Sequence, residues 1–435
     1  TNVALFINFF LFLELRAILT KKCYNINFHT SIINDNNNNL LISNSNISNS
    51  LLDRSFIEWF VGFTDAEGNF NIKLTDLNNN TFKYVQFTFQ IDLHKDDIKV
   101  LEYIRDNLKC GHISKSRDKV NFFINDQNSL LNVIIPLFDE VNLNSSKYHY
   151  FVLFKKAVML IKNKEHLTDE GKLAIINYKK EMQSMSGKWV PESIYNKINI
   201  TKYWLAGFID GEGSFSTNKY VPRFKLENHI KESELYHKIK EFMGTDKLIY
   251  SSDRSDKRVE SNPTIILEIN KVKYIKEILI PLMYDSNNKL LLKTLKSKNF
   301  LLWLNLVDIY YLGYHTILEG KQLFDIIKNN INKYSLTTND SLKRGLKTLP
   351  EIKLLLSELY LLDSPYEIKN GVRYHRGTNN LVGESNQIIS IDENNYRVVH
   401  NSMSEATNSL NISRKTIKEC LTTGKSYKGI TFIFK

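Results

Sequence analysis

Two pairs of acidic residues recur with the same neighbours in two separate parts of the chain. Residues 57–70 read IEWFVGFTDAEGNF and residues 202–215 read KYWLAGFIDGEGSF, and at one constant offset the matched acids are Asp65 with Asp210 and Glu67 with Glu212. A lone acid beside glycine is ordinarily a helix end or a surface charge, but recurrence at matched positions of a repeat favours a chemical role. Carboxylates can hold a hard divalent cation such as Mg²⁺ or Mn²⁺, and metals held in this way can promote phosphodiester hydrolysis.

The residues around these acids predict two helices that pack against each other. Residues 56–66 have apolar side chains at helical spacing, and Gly68, like its counterpart Gly213, is expected to end the helix in the left-handed conformation. Small residues lie four apart on one face of each helix, at Gly62 and Ala66 and at Gly207 and Gly211. A close pairing about a pseudo-two-fold axis would collect all four acids, which repel one another and the negative ends of both helix dipoles. We therefore expect a bound cation there.

The repeat extends well beyond the acids. IIPLF at 134–138 matches LIPLM at 279–283, so the chain contains two domain-sized copies of one unit. Each copy is predicted to run helix, two strands, helix, two strands, helix. The strands are expected at 82–91, 112–116 and 120–124 and then at 223–227, 247–252 and 264–269, with helices at 96–108 and 233–242. The predicted fold class is α+β, with antiparallel sheets that each keep one polar face.

Composition limits the partners of the chain. Its 58 Lys and Arg exceed its 47 Asp and Glu, and the net charge of +11 favours a polyanion such as nucleic acid or an anionic membrane. The 3 cysteines lie far apart and build neither a disulfide framework nor a cysteine zinc site. Gly and Pro are scarce while Asn, Ile and Lys abound, a bias typical of AT-rich organellar genomes. The apolar run at 3–13 is shorter than the roughly 20 residues of a membrane-spanning helix, so no membrane partner is required.

The predicted domain boundaries follow the repeat. Residues 1–50 are expected to be an exon remnant and an Asn/Ser-rich linker, with a weak anchor or a stray helix as the alternatives for the apolar run at 3–13. Residues 51–187 are the first predicted repeat, 188–338 the second, 339–386 a linker with some helix around 350–362, and 387–435 a separate C-terminal module.

The sequences FVGFTDAEG and LAGFIDGEG resemble the two motifs of the double-motif, single-chain LAGLIDADG homing endonucleases, and the likeness covers about residues 55–335. The resemblance implies a pseudosymmetric αββαββα duplication whose two saddle-shaped sheets lie in the DNA major groove, and a monomer. It implies that Glu67 and Glu212 bind the catalytic metals. Asp65 and Asp210 would be supporting residues that bond backbone across the seam between the motif helices.

The resemblance also implies roles for basic and polar residues. Lys147 and Lys296 map to basic residues that polarise the scissile phosphate or place water, and the alternative for both is a solvated helix start. The polar residue often found at the end of the second strand maps to Leu93 and Asn228. Leu93 departs from this pattern, so the first copy is expected to cleave less efficiently. Base edges are expected to meet Gln86, Gln90, Lys115, Arg117, Arg223 and Lys225, and phosphates Lys289 and Lys293. Each of these DNA contacts is alternatively an ordinary polar surface residue.

Residues 387–435 predict a helix-turn-helix. Ser404 can cap a short helix to Leu410, Asn411 can turn the chain, and Ser413 can cap a second helix. This module resembles the nuclease-associated modular repeats at the tails of intron-encoded nucleases. Its DNA contacts would be Arg414, Lys415 and Lys418, and a mere capping subdomain is the alternative.

The sequence thus predicts a Mg²⁺-dependent endonuclease that cuts both strands of a specific DNA site, encoded in a mitochondrial intron. The alternative is a maturase that binds its own group I intron RNA and assists splicing. Retention of both Glu67 and Glu212 favours the nuclease, because RNA binding alone does not need these acids.

Overall fold

The computed structural model describes residues 52–76, 81–185, 189–245, 249–252, 263–331, 346–369, 372–378, 380–382, 388–400 and 403–434. Within these ranges no helix is long and apolar enough to cross a membrane. The predicted exon remnant and linker at 1–50 lie outside the described residues.

The first copy is a four-stranded antiparallel sheet backed by helices. Its first helix begins after Asp53, whose carboxylate accepts the N–H of Ser55, and passes at its end directly into the first strand. The elements are α1 (Arg54–Glu67), β1 (Gly68–Thr75), β2 (Tyr84–His94), α2 (Ile98–Leu108), β3 (His112–Ser116), β4 (Lys119–Ile124), α3 (Ile135–Glu140), α4 (Lys147–Lys162) and α5 (Asp169–Ser184). A short helix at Gln127–Ser129 and a π-helical turn at Leu130–Ile134 lead into α3.

The second copy repeats this order. Its elements are α6 (Lys202–Glu212), β5 (Gly213–Asn218), β6 (Val221–His229), α7 (Ser233–Met243), β7 (Ile249–Ser252), β8 (Thr264–Ile269), α8 (Lys296–Tyr311) and α9 (Leu318–Asn330), with short helical turns between Val272 and Leu282. The two sheets have the same strand order, β1-β2-β4-β3 and β5-β6-β8-β7. The predicted α+β duplication is therefore confirmed.

Alternation along the strands separates a core face from a polar face in each sheet. In β1 the side chains of Phe70 and Ile72 are buried, whereas Asn69, Asn71 and Lys73 are exposed. The buried faces pack on the helices behind, as a half-buried antiparallel sheet requires. Each polar face is left uncovered by these helices, as the sequence predicts.

The two copies meet along α1 and α6. A Cβ at Gly62 would lie 2.0 Å from the carbonyl oxygen of Trp204, and one at Gly207 would lie 2.0 Å from that of Trp59. Neither position can hold any side chain, because the backbone of the partner helix already occupies the space. The predicted close seam is confirmed, and this contact accounts for glycine there despite its low helix propensity.

The glycines that end the motif helices differ from expectation. Gly68 has φ −72° and Gly213 has φ −69°, so both are extended rather than left-handed. The chain turns straight from helix into strand, and a Cβ at Gly68 would lie 2.8 Å from the carbonyl oxygen of Thr64. Lack of space, not backbone conformation, requires glycine at these two positions.

The predicted linker at 339–386 is in part folded onto the second copy. Helix α10 (Leu349–Leu359) starts with a capping box formed by Thr348 and Glu351. Its buried Ile352, Leu356 and Leu359 belong to the main hydrophobic core. The unit that holds both copies extends to Asp363, beyond the predicted boundary at 338, because the amphipathic pattern of α10 buries an apolar face.

The remaining described residues form a second unit that begins at Ser364. It contains β9 (Tyr366–Lys369), β10 (Val372–His375), β11 (Ile388–Ile391), β12 (Arg397–His400), α11 (Met403–Leu410), α12 (Arg414–Thr423) and β13 (Thr431–Phe434). Strands β12, β11 and β13 form one antiparallel sheet. Asn411 has φ 53° at the turn between α11 and α12, and Ser413 caps α12 by accepting the N–H of Thr416. Two short helices are thus joined by a tight turn, and the assignment of this unit as a DNA-binding helix-turn-helix stays a prediction.

Candidate active site

Asp65 fixes the end of α1 against the rest of the first copy. Its buried carboxylate accepts the backbone N–H groups of Asn144 and Ser145, each at 2.9 Å, and the hydroxyl of Ser145 at 2.6 Å. The indole N–H of Trp204, from the second copy, donates at 2.8 Å. Burial raises the pKa of Asp65 to about 6, although these hydrogen bonds act in the opposite direction.

Asp210 makes the same four bonds in the second copy. It accepts the backbone N–H groups of Lys293 (2.8 Å) and Thr294 (3.0 Å), the hydroxyl of Thr294, and the indole N–H of Trp59 from the first copy. The expectation that these aspartates bond backbone across the seam is therefore wrong in one respect. The backbone bonds stay within each copy because the loop before α4 or α8 lies there, and only the indole bond crosses.

The glutamates Glu67 and Glu212 lie at the last positions of α1 and α6, on either side of the seam. The Oε1 of Glu67 lies 3.3 Å from the position that a Cβ on Gly211 would take, so this side chain crosses the end of the opposite motif helix. Burial, and then the negative charge of Glu67, raise the pKa of Glu212 to about 7. The two carboxylates are thus close enough to repel each other, as the sequence predicts.

The two halves differ at the end of the second strand. Asn228 donates its side-chain N–H to Oε1 of Glu212 at 3.1 Å. The matching residue in the first copy is Leu93, which has no polar group to offer Glu67. The second glutamate is therefore oriented by a neighbour that the first glutamate lacks.

Lys147 and Lys296 join the acids at the seam. The Nζ of Lys147 donates to the carbonyl oxygens of Thr64 (3.2 Å) and Ala66 (2.7 Å), and the Nζ of Lys296 donates to those of Ile209 and Gly211. Each ammonium thereby caps the negative end of the motif helix in its own copy. Burial lowers the pKa of both lysines, while the neighbouring carboxylates act in the opposite direction.

The donor set at the seam suits Mg²⁺. No group of three or more His, Cys, Asp or Glu side chains that could hold a metal occurs among the described residues. Magnesium does not need such a cage, since it commonly uses one or two carboxylates and completes its shell with water and phosphate oxygens. Glu67 and Glu212 supply two carboxylates. Burial, and then the charge of Glu67, raise the pKa of Glu212, and a bound cation would offset both effects.

The polar face of the first sheet holds two of its four predicted DNA contacts. Gln86 and Gln90 lie on this face beside the β1 residues Lys73 and Asn69, their cross-strand partners. Lys115 instead pairs with the buried Val120, so it lies on the core-side face of the sheet. This placement counts against Lys115 as a base contact. The partly buried Ile113, two positions earlier in the short edge strand β3, marks the same core-side face. Arg117 lies in the β3-β4 turn with φ 51° and is exposed.

The second sheet places Arg223 and Lys225 on its polar face, each next to an acid. Arg223 contacts the hydroxyl of Ser216 at 3.2 Å and Glu268 at 3.5 Å, and Lys225 is paired with Glu227. These acids hold the basic groups in place along β6 and reduce the net charge of the face.

The remaining predicted contacts are dispersed. Lys289 is exposed, whereas Lys293 is half-buried with its Nζ 5.6 Å from the ring centre of Tyr103. In the C-terminal unit, Arg414, Lys415 and Lys418 are all exposed on α12.

Sequence reasoning missed two kinds of residue. It assigned no role to Trp59 and Trp204, although both occur at matched positions of the repeated motif. It also did not place β1, whose Asn69, Asn71 and Lys73 extend the polar face. The alternation of GNFNIKLT was the available signal for that strand.

Comparison with known proteins agrees with this architecture. The family model for LAGLIDADG endonucleases matches residues 60–158 and 205–307, once in each copy. The uncharacterized mitochondrial protein RF1 of Saccharomyces cerevisiae is 28% identical across 81% of this chain and 75% of its own length. The probable intron-encoded endonuclease 3 of Neurospora crassa is 29% identical across 60% of this chain and 51% of its own length.

A solved structure provides the third comparison. The crystal structure of the LAGLIDADG homing endonuclease I-SmaMI bound to cleaved DNA matches with a TM-score of 0.55 and 25% identity, over 64% of this chain and 98% of that one. The family model matches both copies, and each match contains one motif helix and its acids. The chain is therefore a double-motif member of the LAGLIDADG endonuclease family.

Proposed function

We propose that this protein is a Mg²⁺-dependent endonuclease that cuts both strands of a specific DNA site. The observation that carries the proposal is the duplicated arrangement at the seam. Each motif helix has a glutamate as its last residue, and a buried lysine ammonium from another helix lies against its end. A duplex has two strands of opposite direction, and a pseudo-two-fold pair of reactive centres matches that symmetry.

In this proposal Glu67 and Glu212 hold the cation. When bound, the metal would supply positive charge and would lower the pKa of a water for phosphodiester hydrolysis. Lys147 and Lys296 place positive charge beside the scissile phosphates from fixed positions, because each Nζ is already anchored on helix-end carbonyl oxygens. Such preorganised charge stabilises negative charge that develops during the reaction.

The polar sheet faces are proposed to carry sequence recognition. Gln86 and Gln90 on the first sheet, and Arg223 and Lys225 on the second, offer the hydrogen-bonding groups that read base edges in the major groove. Exposed Lys289 is proposed to contact phosphate, as are Arg414, Lys415 and Lys418 on the C-terminal unit.

The relatives support a proposed origin in a mitochondrial intron. One is named a mitochondrial protein and another a probable intron-encoded endonuclease. A single chain contains both motifs, so a monomer suffices for double-strand cleavage. The retained glutamates favour this nuclease over an RNA maturase, because splicing assistance needs no metal-binding acids.

The test is cleavage of intron-free DNA that spans the insertion site of the intron encoding this chain, with Mg²⁺ and with EDTA. We expect cuts in both strands with Mg²⁺ only. Glu67→Gln and Glu212→Gln should abolish cleavage while DNA binding persists, and the control Glu241→Gln, whose carboxylate pairs with Lys238 on α7, should still cut. Wild-type protein that leaves this DNA intact but restores splicing of the intron RNA would refute the nuclease.

A further inference from the structure

Helix α4, which begins with Lys147, is capped by an acid from the opposite copy. Ser146 directly precedes this lysine and donates its backbone N–H to Oε2 of Glu232 at 3.0 Å and its hydroxyl to Oε1. Glu232 lies between β6 and α7 of the second copy and is only 5% exposed. Hydrogen bonds to Ser146 therefore satisfy both of its oxygens.

Helix α8, which begins with Lys296, is capped in the reciprocal manner. Leu295 directly precedes this lysine and donates its backbone N–H to Oδ1 of Asp97 at 2.7 Å. Asp97 belongs to the first copy and lies three residues after His94, the last residue of β2. Glu232 lies three residues after the last residue of β6, so the two acids are equivalent in the repeat.

We propose that Glu232 and Asp97 are positioning residues, each of which holds the active-site lysine of the opposite copy in place. This inference rests on the proposed function, since it assigns the lysines to cleavage. Asp65 already holds the N–H groups of Asn144 and Ser145 from within the first copy. The next N–H, that of Ser146, depends on the second copy.

The physical basis is the unsatisfied start of a helix. The first N–H groups of an α-helix have no partner within it, and an acid there is favoured by the helix dipole. Loss of the acid would leave one backbone N–H at the start of the helix without its partner, and the first turn would loosen. Lys147 is in that turn, so its Nζ would leave the carbonyl oxygens of Thr64 and Ala66. Each lysine is thereby held in place only when the two copies are docked.

Amine labelling tests the placement without any cleavage. The full chain is treated briefly with acetic anhydride, and acetylation of each lysine is read by mass spectrometry. We expect Glu232→Ala to raise the labelling of Lys147 by about fivefold or more and to leave Lys296 unchanged, and Asp97→Ala to do the reverse. Glu232→Gln and Asp97→Asn keep an acceptor oxygen and should restore most of the protection.

The matched control is Glu234→Gln, because the carboxylate of Glu234 accepts its hydrogen bonds from Ser193 and Ile194 in the segment between the copies and not from Ser146. This control should leave the labelling of both lysines unchanged. If Glu232→Ala does not fold, Ser146→Ala removes the hydroxyl bond alone and should still expose Lys147 selectively. Equal labelling of both lysines in either variant, or no increase, would overturn the proposal.

Strand-specific cleavage provides the functional readout. Each DNA strand is end-labelled so that its cleavage rate is measured separately. Glu232→Ala should slow cleavage by about tenfold on the strand whose cleavage Lys147→Ala also slows, while the Kd for DNA stays unchanged. If it slows the strand that Lys296→Ala affects, the crossed assignment is wrong. If the wild type cuts no DNA at all, the proposed function fails, whereas the labelling result still decides whether the acids hold the lysines.

Discussion

Glu212→Gln should stabilise the metal-free protein while it abolishes cleavage. Burial and the charge of Glu67 raise the pKa of Glu212 from its ordinary 4.5 to about 7. Between these two values the folded protein binds a proton that the unfolded chain has released, so the stability of the metal-free fold falls as pH rises. Glutamine has no charge to bury, and its oxygen can still accept the N–H of Asn228.

The size of the effect follows from the shift. Each pKa unit corresponds to about 1.4 kcal/mol, so the carboxylate costs the metal-free protein at most about 3 kcal/mol above pH 7. Below about pH 4.5 Glu212 is protonated in both the folded and unfolded states, and the variant should gain nothing there. Added Mg²⁺ should stabilise the wild type at pH 8 and the variant much less, because binding to the folded state alone adds to stability.

Urea unfolding in EDTA at pH 4 and pH 8 measures this prediction. The control is Glu227→Gln, which removes a carboxylate that is paired with Lys225, so no stabilisation is expected. If Glu212→Gln is not stabilised at pH 8, or is stabilised equally at pH 4, the idea that Glu67 and Glu212 repel each other until a cation binds is refuted.

Two further predictions concern the seam and the C-terminal unit. Gly207→Ala places a Cβ 2.0 Å from the carbonyl oxygen of Trp59, so urea unfolding should show a loss of about 2 kcal/mol or more. Gly244→Ala, with nothing within 4 Å of the added carbon, should cost only about 1 kcal/mol for its left-handed backbone, and equal losses would contradict the close seam. Replacing Arg414, Lys415 and Lys418 together by Gln should reduce the salt dependence of DNA affinity by about 0.9 in slope for each phosphate that these residues neutralise. If fluorescence anisotropy shows an unchanged slope of affinity against salt concentration, α12 does not contact DNA.

The repeat and its strongly periodic elements could be predicted from the sequence. The strand at 264–269 has the predicted bounds, and the helix predicted at 233–242 ends one residue later, because alternation or helical spacing is clear in each. The sequence assigns Lys115 to the other face of the sheet, because its short edge strand has one partly buried residue, Ile113, among exposed ones and so gives a weak periodic signal. Helix α10 agrees with the helix expected around 350–362. Its place in the main core could not be predicted, because that contact depends on how the second copy folds.

The site was predictable in its members but not in their contacts. The glutamates could be identified because the motif recurs, and their approach follows from the small residues at the seam. The partners of Asp65 lie 79, 80 and 139 residues away in sequence, and nothing local marks them. The crossing of Glu232 to Ser146 likewise depends on how the two copies dock.

Asp65 and Glu67 lie two residues apart in the motif helix α1 but make different contacts. Successive residues of an α-helix are rotated by about 100°, so Asp65 and Glu67 point about 200° apart around α1. Asp65 turns inward and accepts four hydrogen bonds, which uses the roughly four acceptor sites of a carboxylate. No acceptor site remains on it for a metal. Glu67, at the very end of the helix, reaches across Gly211 and accepts none of these bonds, which supports our proposal that the last acid of the motif binds a cation.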